Sequence, residues 1–392
     1  MAKAQSYATL LTQRLVQCPS VTPAEGGALD LLQAELAEMG FAITRLPFGE
    51  GDGEIDNLFA IRHGDEGAPA HHIAFAGHTD VVPVGDKAAW RHDPFKGAIE
   101  DGRLYGRGTA DMKGGIACFI AAVKKLDEAG VKTGTISLII TGDEEGVAQF
   151  GTVKMVAWMA DEKIVPDFCI VGEPTNPKVM GDVIKNGRRG SLTGKLTVTG
   201  KQGHVAYPHL ANNPVPALFA MLAPVNSAEL DGGNDYFDPS MAQIVDLQIT
   251  DAASNVIPNR AFGQFNIRFN TEHSQDSLMG WLNEHFTRIA DDTGVRFEIE
   301  WLCNAHPFLT EPDTHTDKLQ AAIHKVTGRR AELSTSGGTS DARFICHLCP
   351  VAEFGLVGQT MHQIDEHVMI DDIDQLAEIY EAFLIDLFGD RS

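Results

Sequence analysis

Apolar residues along this chain follow two different periods, and the switch between them marks its organisation. Up to about residue 185, unbroken apolar runs of strand length (Ile73–Gly77, Thr135–Thr141, Phe168–Gly172) alternate with stretches spaced three and four apart, such as Ile116, Phe119, Ile120 and Val123. The runs read as buried strands and the spaced stretches as one face of a helix. Their alternation predicts a βαβ-type mixed sheet covered by helices. From Ser191 the pattern turns into a half-exposed alternation, with Leu192, Leu196 and Val198 set against Thr193, Lys195, Thr197 and Thr199. A helical Pro214 to Val225 follows, then strands at Met241 to Thr250 and Phe265 to Phe269, a helical Ser274 to Ala290, and a strand near Arg296 to Trp301. This β-α-β-β-α-β order is that of a ferredoxin-like α+β unit. The α/β pattern then resumes through Val351 to Leu356. It closes in a helix with Ile373, Leu376, Tyr380, Phe383 and Leu387 on one stripe and Gly389 as its stop signal. The expected fold class is α/β: a discontinuous domain of residues 1–186 and 302–392, with a ferredoxin-like domain inserted over 187–301.

Polar residues sit at the ends of these apolar runs: His78 and Asp80, Glu144 and Glu145, Glu173, and His362 beyond Val351 to Leu356. Asp111 lies among glycines in Gly106–Gly115, just before helical spacing begins. Open α/β sheets bind ligands at the carboxyl ends of their strands, so the shared position carries more weight than any single residue. His78 and Asp80, two apart on an extended strand, point the same way. One can bind a metal while the other orients it, because a ligating imidazole gives its second N–H to a carboxylate or carbonyl. An isolated Asp111 would read as a helix N-cap, and Asp143-Glu144-Glu145 as a solvated acidic loop. The glycines around Asp111 weigh against the cap: they allow close backbone approach, and a carboxylate held there can offer one oxygen to each of two cations. Adjacent residues leaving a strand face opposite ways, so one of Glu144 and Glu145 can bind metal while the other serves as a general base. His78, His362, Asp111, Glu145 and Glu173 bring about −3 against +4 from two divalent ions, leaving a slightly positive centre. Nitrogen and oxygen donors without cysteine suit zinc first, then cobalt or manganese. The constellation reads as a two-metal hydrolase.

Composition narrows the alternatives. With 392 residues, 43% of them hydrophobic, the chain can bury more than one core. Its net charge of −23 argues against nucleic acid, whose phosphates would be repelled. No apolar run approaches a membrane span, and Met1 to Ser20 carries Gln13 and Arg14 within its apolar pattern, as an amphipathic helix does and a signal peptide does not. Six scattered cysteines (Cys18, Cys118, Cys169, Cys303, Cys346, Cys349) read as free thiols of a cytosolic protein. Cys346-His347-Leu348-Cys349 is a lone CxxC without the second pair of a structural zinc site. Gly106-Arg107-Gly108 lacks the third glycine of a dinucleotide site. Gly338-Thr339-Ser340-Asp341-Ala342 ends in alanine where the nucleophile elbow of a serine hydrolase has glycine. A non-catalytic metal- or peptide-binding protein remains as an alternative from another class, and Glu144 argues against it.

Three motifs, Gly77-His78-Thr79-Asp80-Val81-Val82-Pro83, Gly106 to Gly115 and Gly142-Asp143-Glu144-Glu145-Gly146, resemble the aminoacylase/carboxypeptidase group of dinuclear zinc peptidases and amidohydrolases. Three more, Lys185 to Ser191, Gly203-His204-Val205-Ala206-Tyr207-Pro208 and Ser336 to Phe344, are similar to the succinyl-diaminopimelate desuccinylases within that group. The resemblance runs through nearly the whole chain. It implies that Asp111 bridges two zinc ions, with His78 and Glu173 completing one site and Glu145 and His362 the other. It further implies that Glu144 is the general acid/base, with Asp80 behind His78. A homodimer built through the inserted domain is implied, in which His204 reaches the partner's active site. Substrate contacts are implied for Arg188, Ser191, Tyr207, Asn255, Arg268, Gly338, Thr339 and Arg343. The three guanidiniums suit substrate carboxylates, although Arg268 could simply alternate outward on its strand. The implied activity is hydrolysis of N-succinyl-L,L-2,6-diaminopimelate in cytoplasmic lysine and diaminopimelate biosynthesis. Acetylornithine deacetylases and dipeptidases share the metal ligands and are the nearest alternatives. Gly358-Gln359-Thr360 departs from the Asn-Ala-Thr or Asn-Ser-Thr of many relatives, so no substrate contact is assigned to that loop.

Overall fold

The computed structural model describes residues 5–249 and 253–389. Thr250 and the first four residues of the expected N-terminal helix lie outside them. The chain forms two compact units: one of residues up to Asn186 with Thr310–Ser334 and Ser340 onward, the other of Gly187–Leu309 with Thr335–Thr339.

In the first unit the chain runs α1 (Tyr7–Val16), α2 (Ala28–Glu38), β1 (Ala42–Arg45), β2 (Leu58–Arg62), β3 (His72–His78), β4 (Ala98–Glu100), β5 (Arg103–Tyr105), α3 (Gly114–Glu128), β6 (Thr135–Thr141), α4 (Thr152–Asp161), β7 (Phe168–Val171) and β8 (Val183–Lys185). The second unit contains β9 (Gly187–Arg188), β10 (Gly190–Thr199), β11 (Gly203–His204), α5 (Pro214–Ser227), β12 (Met241–Ile249), β13 (Val256–Ile257), β14 (Arg260–Phe269), α6 (Gln275–Thr293), β15 (Arg296–Ala305) and β16 (Phe308–Leu309). The chain then returns to the first unit as α7 (Thr314–Thr327), β17 (Glu332–Ser334), α8 (Ala342–Ile345), β18 (Val351–Glu353), β19 (His367–Met369) and α9 (Ile370–Phe388).

The first unit is built on an eight-stranded mixed sheet in the order β1-β2-β6-β3-β7-β18-β8-β17. Its middle strands β6, β3, β7 and β18 are parallel neighbours, so their carboxyl ends share one edge. Their β-branched and aromatic side chains are buried on both faces, which is why they appear in the sequence as unbroken apolar runs. Phe119 of α3 stacks on Phe75 of β3 with ring centroids 4.5 Å apart, and Tyr380 of α9 meets both rings edge-on. A Cβ at Gly115 would meet the Gly172 carbonyl oxygen at 2.4 Å, so glycine alone lets the start of α3 rest on the end of β7. The expected stripe Ile373, Leu376, Tyr380, Phe383 and Leu387 is buried. Gly389 has φ −62°, so α9 stops without the left-handed glycine turn expected there. Among the described residues no helix is long and apolar enough to cross a membrane.

The second unit has the β-α-β-β-α-β order, with β10, β12, β14 and β15 arranged as β12-β14-β10-β15 in one antiparallel sheet. Leu192, Leu196, Val198, Phe265 and Ile267 form its core with Leu218 and Leu222 of α5 and Leu282 and Phe286 of α6. Two-residue pairings, β11 with β13 and β9 with β16, are added to it. Where the sequence expectation ended the inserted domain at 301, β15 continues to Ala305 and β16 follows, because its alternation persists through Cys303.

Candidate active site

Three parallel neighbours deliver four polar residues to one edge of the sheet: His78 ends β3, Glu144 and Glu145 follow β6, and Glu173 follows β7. Asp111 arrives by another route, in the turn between β5 and α3, with φ −121° and ψ 94°. It is not an N-cap, since no side chain caps α3. His362 lies in a loop well beyond β18, with φ 62°.

These residues converge. His78 Nε2 lies 3.1 Å from Asp111 Oδ1 and 3.8 Å from Glu173 Oε1. His362 Nε2 lies 3.1 Å from Asp111 Oδ2 and 2.8 Å from Glu145 Oε1. Each oxygen of Asp111 therefore faces its own histidine, the arrangement that a carboxylate shared between two cations needs. Donor atoms of His78, Glu144 and Glu173 lie within 4.8 Å of one another, as do those of His78, Asp111 and Glu145. Glu144 is thus close enough to be a ligand by distance alone, and only its chemistry separates the roles.

Asp80 meets His78 through its carbonyl rather than its carboxylate. His78 Nδ1 is 2.9 Å from the Asp80 carbonyl oxygen and 3.6 Å from its carboxylate, so the backbone orients the imidazole. The carboxylate instead accepts the Thr22 hydroxyl at 2.8 Å and the backbone N–H groups of Glu144 at 3.2 Å and Glu145 at 3.0 Å. One residue therefore orients His78 and fixes the loop that carries both glutamates.

The electrostatics match a cation site. Burial pushes Glu144 up to about 8; His78 pulls it back, while Asp341, Glu145 and Asp111 push it further up. Burial likewise drives Glu173 well above the usual carboxylate range, with Asp111 adding to it. On Asp111 burial is outweighed by hydrogen bonds from His362 and His78, which hold it low. Hydrogen bonds to Asp111 and Glu145 raise His362 to about 10. Protons shared between imidazoles and crowded carboxylates offset here the negative charge that divalent ions would neutralise. Two imidazoles and several carboxylates without thiolate are a donor set that fits such ions.

In the second unit, taken by itself, His204 Nδ1 accepts the Ala206 N–H at 3.0 Å. The neutral ring then carries its proton on Nε2, which is left as a donor. Tyr207 lies beside it with ring centroids 5.7 Å apart, and the Asn255 carbonyl accepts the Val205 N–H at 3.1 Å. His204, Tyr207 and Asn255 therefore cluster, all exposed. Arg188 donates to the Ser336 carbonyl at 3.1 Å, at the start of the loop that carries Gly338 and Thr339. Ser191 is paired with Arg268 across β10 and β14. Arg268 does alternate away from the core, since Ile267 and Phe269 face inward, and burial with the neighbouring Arg189 lowers its pKa. Arg343 belongs to the first unit, its guanidinium 4.6 Å from the Phe344 ring centroid.

Sequence reasoning assigned nothing to Thr22 or Asp341. Asp341 is 3% exposed; it accepts the Thr152 hydroxyl at 2.7 Å on one oxygen, and its other oxygen has no hydrogen-bond partner among the described residues. Burial pushes it up to about 6. It lies inside the Ser336 to Phe344 motif, but its influence on Glu144 arises only once the chain is folded.

Known proteins bear on this geometry. A protein of Gluconacetobacter diazotrophicus named succinyl-diaminopimelate desuccinylase is 50% identical over 99% of both chains. One of the same name from Rhodopseudomonas palustris is 52% identical over 95% of this chain and 96% of its own. Among solved structures, aminopeptidase PepT of Bacillus cereus shares the fold at 21% identity, with a TM-score of 0.80 over 96% of this chain and 97% of its own. The sequence pattern of peptidase family M20/M25/M40 matches residues 74–386, from the strand that ends in His78 to the last helix. With that span and that likeness along its whole length, the chain belongs to peptidase family M20/M25/M40.

Proposed function

We propose that this chain hydrolyses the amide of N-succinyl-L,L-2,6-diaminopimelate to succinate and L,L-2,6-diaminopimelate, in lysine and diaminopimelate biosynthesis. The observation that carries hydrolysis is Asp111, whose two oxygens each face a separate histidine. The substrate rests on likeness to desuccinylases at half identity over the full chain, together with the arginines available for its carboxylates. Asp111, His78 and Glu173 would hold one divalent ion, zinc by preference, and Asp111, His362 and Glu145 the second. Such ions, when bound, acidify water and polarise an amide carbonyl.

Glu144, in its carboxylate form, takes a proton from the attacking water as oxygen bonds to the acyl carbon. It returns that proton to the amine nitrogen as the C–N bond breaks. Asp80 keeps Glu144 in place through its backbone N–H. His204 Nε2 donates to the oxygen that gains charge, a contribution of roughly 2.7–4 kcal/mol for donors of this kind. Arg188, Arg268 and Arg343 bind substrate carboxylates, and Ser191, Tyr207, Asn255, Gly338 and Thr339 are further substrate contacts.

The working form is a homodimer in which His204 serves the partner's site. In support, β12 is an edge strand on which Met241, Val245, Leu247 and Ile249 are exposed, and an unpaired apolar edge of that kind is an association surface. All six cysteines are free, which fits a reducing cytoplasm. A panel of N-succinyl-L,L-diaminopimelate, N-acetylornithine and dipeptides tests the substrate. The succinyl compound should be turned over fastest, and comparable turnover of acetylornithine would contradict the assignment.

A further inference from the structure

Arg107 and Glu366 form an ion pair at 2.7 Å, with 3% and 0% of their side chains exposed. Removing two charges from water is costly, and a well-packed apolar pair would hold the fold as well, so cohesion alone is a poor reason for this contact. Their remaining hydrogen bonds identify what they hold. Glu366 Oε1 accepts the backbone N–H of Ala110 at 3.0 Å and that of Asp111 at 3.4 Å. Arg107 donates to the carbonyls of Gln363 at 3.2 Å and His362 at 3.5 Å, and also to that of Pro83 at 3.4 Å. The grip is crossed: the arginine preceding Asp111 holds the His362 segment, and the glutamate following His362 holds the Asp111 segment. Ladder pairing brings the flanking strands together, with His367 opposite Tyr105, and ends in a bond of 2.9 Å from Gly106 N–H to the Glu366 carbonyl. Beyond that point the two segments leave the ladder and run on to Asp111 and His362. His362 also adopts φ 62°, a left-handed conformation that a histidine keeps only where its surroundings hold it.

We infer that Arg107 and Glu366 are a positioning pair that holds Asp111 and His362 together so that both can ligate one divalent ion. The inference rests on the two-ion reading proposed above and goes beyond it by assigning the assembly of one site to residues that touch neither ion nor substrate. The test is titration of metal-stripped protein with cobalt(II), followed by its visible spectrum, alongside thermal unfolding. The proteins compared are the wild type, Arg107→Lys, and the double variant Arg107→Met with Glu366→Leu, which removes both buried charges at similar volume. Wild type should take up two equivalents; fewer would sink the two-ion reading itself, whatever the variants do. With two in the wild type, the variants should bind the equivalent held with His362 at least tenfold more weakly and the other, which shares Asp111, by a clearly smaller factor, while unfolding near the wild-type temperature. Unchanged affinity for both equivalents would overturn the inference. So would equal weakening of both, or failure of both variants to fold, since the pair would then be holding the fold rather than one site.

Discussion

At the scale of single residues, the site depends on giving different tasks to carboxylates that sequence alone makes look alike. Glu145 is within hydrogen-bond distance of His362, and Asp111 of both histidines. Glu144 is held by its backbone to Asp80, and its side chain is raised to about 8 by burial. A base must be deprotonated to accept water's proton, and bound cations would bring this raised value down. Activity should therefore fall on the acid side, with the limb of the kcat/KM profile below pH 8; a profile flat down to about pH 5 would contradict the role. Glu144→Gln keeps the size and removes the acceptor. Turnover should drop roughly 10²- to 10⁴-fold, the usual range for a general acid–base group, with metal content near wild type. Loss of metal instead would make Glu144 a ligand.

At the scale of elements, the site requires α3 to start against the ends of β3 and β7. Gly115→Ala would place a methyl group 2.4 Å from the Gly172 carbonyl oxygen, between the segments that carry Asp111 and Glu173. Overpacking of this kind costs about 1–3 kcal/mol. The variant should show a lowered Tm together with weakened metal retention, and a lowered Tm with normal retention would separate the helix position from the site. This scale also divides what the sequence reveals from what it hides. Ile73–Gly77, Thr135–Thr141 and Phe168–Gly172 are legible because strands buried on both faces are apolar without interruption, and the polar residues after them stand out. Of the three-residue strands, β4, β5, β8, β17 and β19 are too short to display a period, whereas β18 is legible through the apolar run Val351 to Leu356. The bonds from Asp80 to Glu144 and Glu145, and the pairing of Arg107 with Glu366, join residues far apart in the chain, and no local spacing encodes them. His78 and Asp80 illustrate the limit within one motif: strand geometry predicts that they act together, but not that the Asp80 carbonyl turns to the imidazole while its carboxylate turns to the glutamate loop.

At the scale of the whole molecule, catalysis is proposed to draw on two copies of the chain. His204→Ala and Glu144→Gln should each be nearly inactive with metal retained. A mixed dimer of the two contains one site with Glu144 from one chain and His204 from the other, so subunit exchange should restore part of the activity. Exchange verified by a tag-based pull-down, with no return of activity, would refute the action of His204 across the dimer. At this scale the cluster around Asp111 is proposed to be the hydrolytic centre for a succinylated diamino acid, working through bound divalent ions. The most direct measurement is succinate release from N-succinyl-L,L-diaminopimelate by chelator-stripped protein during stepwise addition of zinc. Release should be absent at the start and recover as zinc occupies the site, with binding complete at about two equivalents. Stripped protein that releases succinate as fast as the reloaded enzyme, or reloaded enzyme that releases none, would contradict the account.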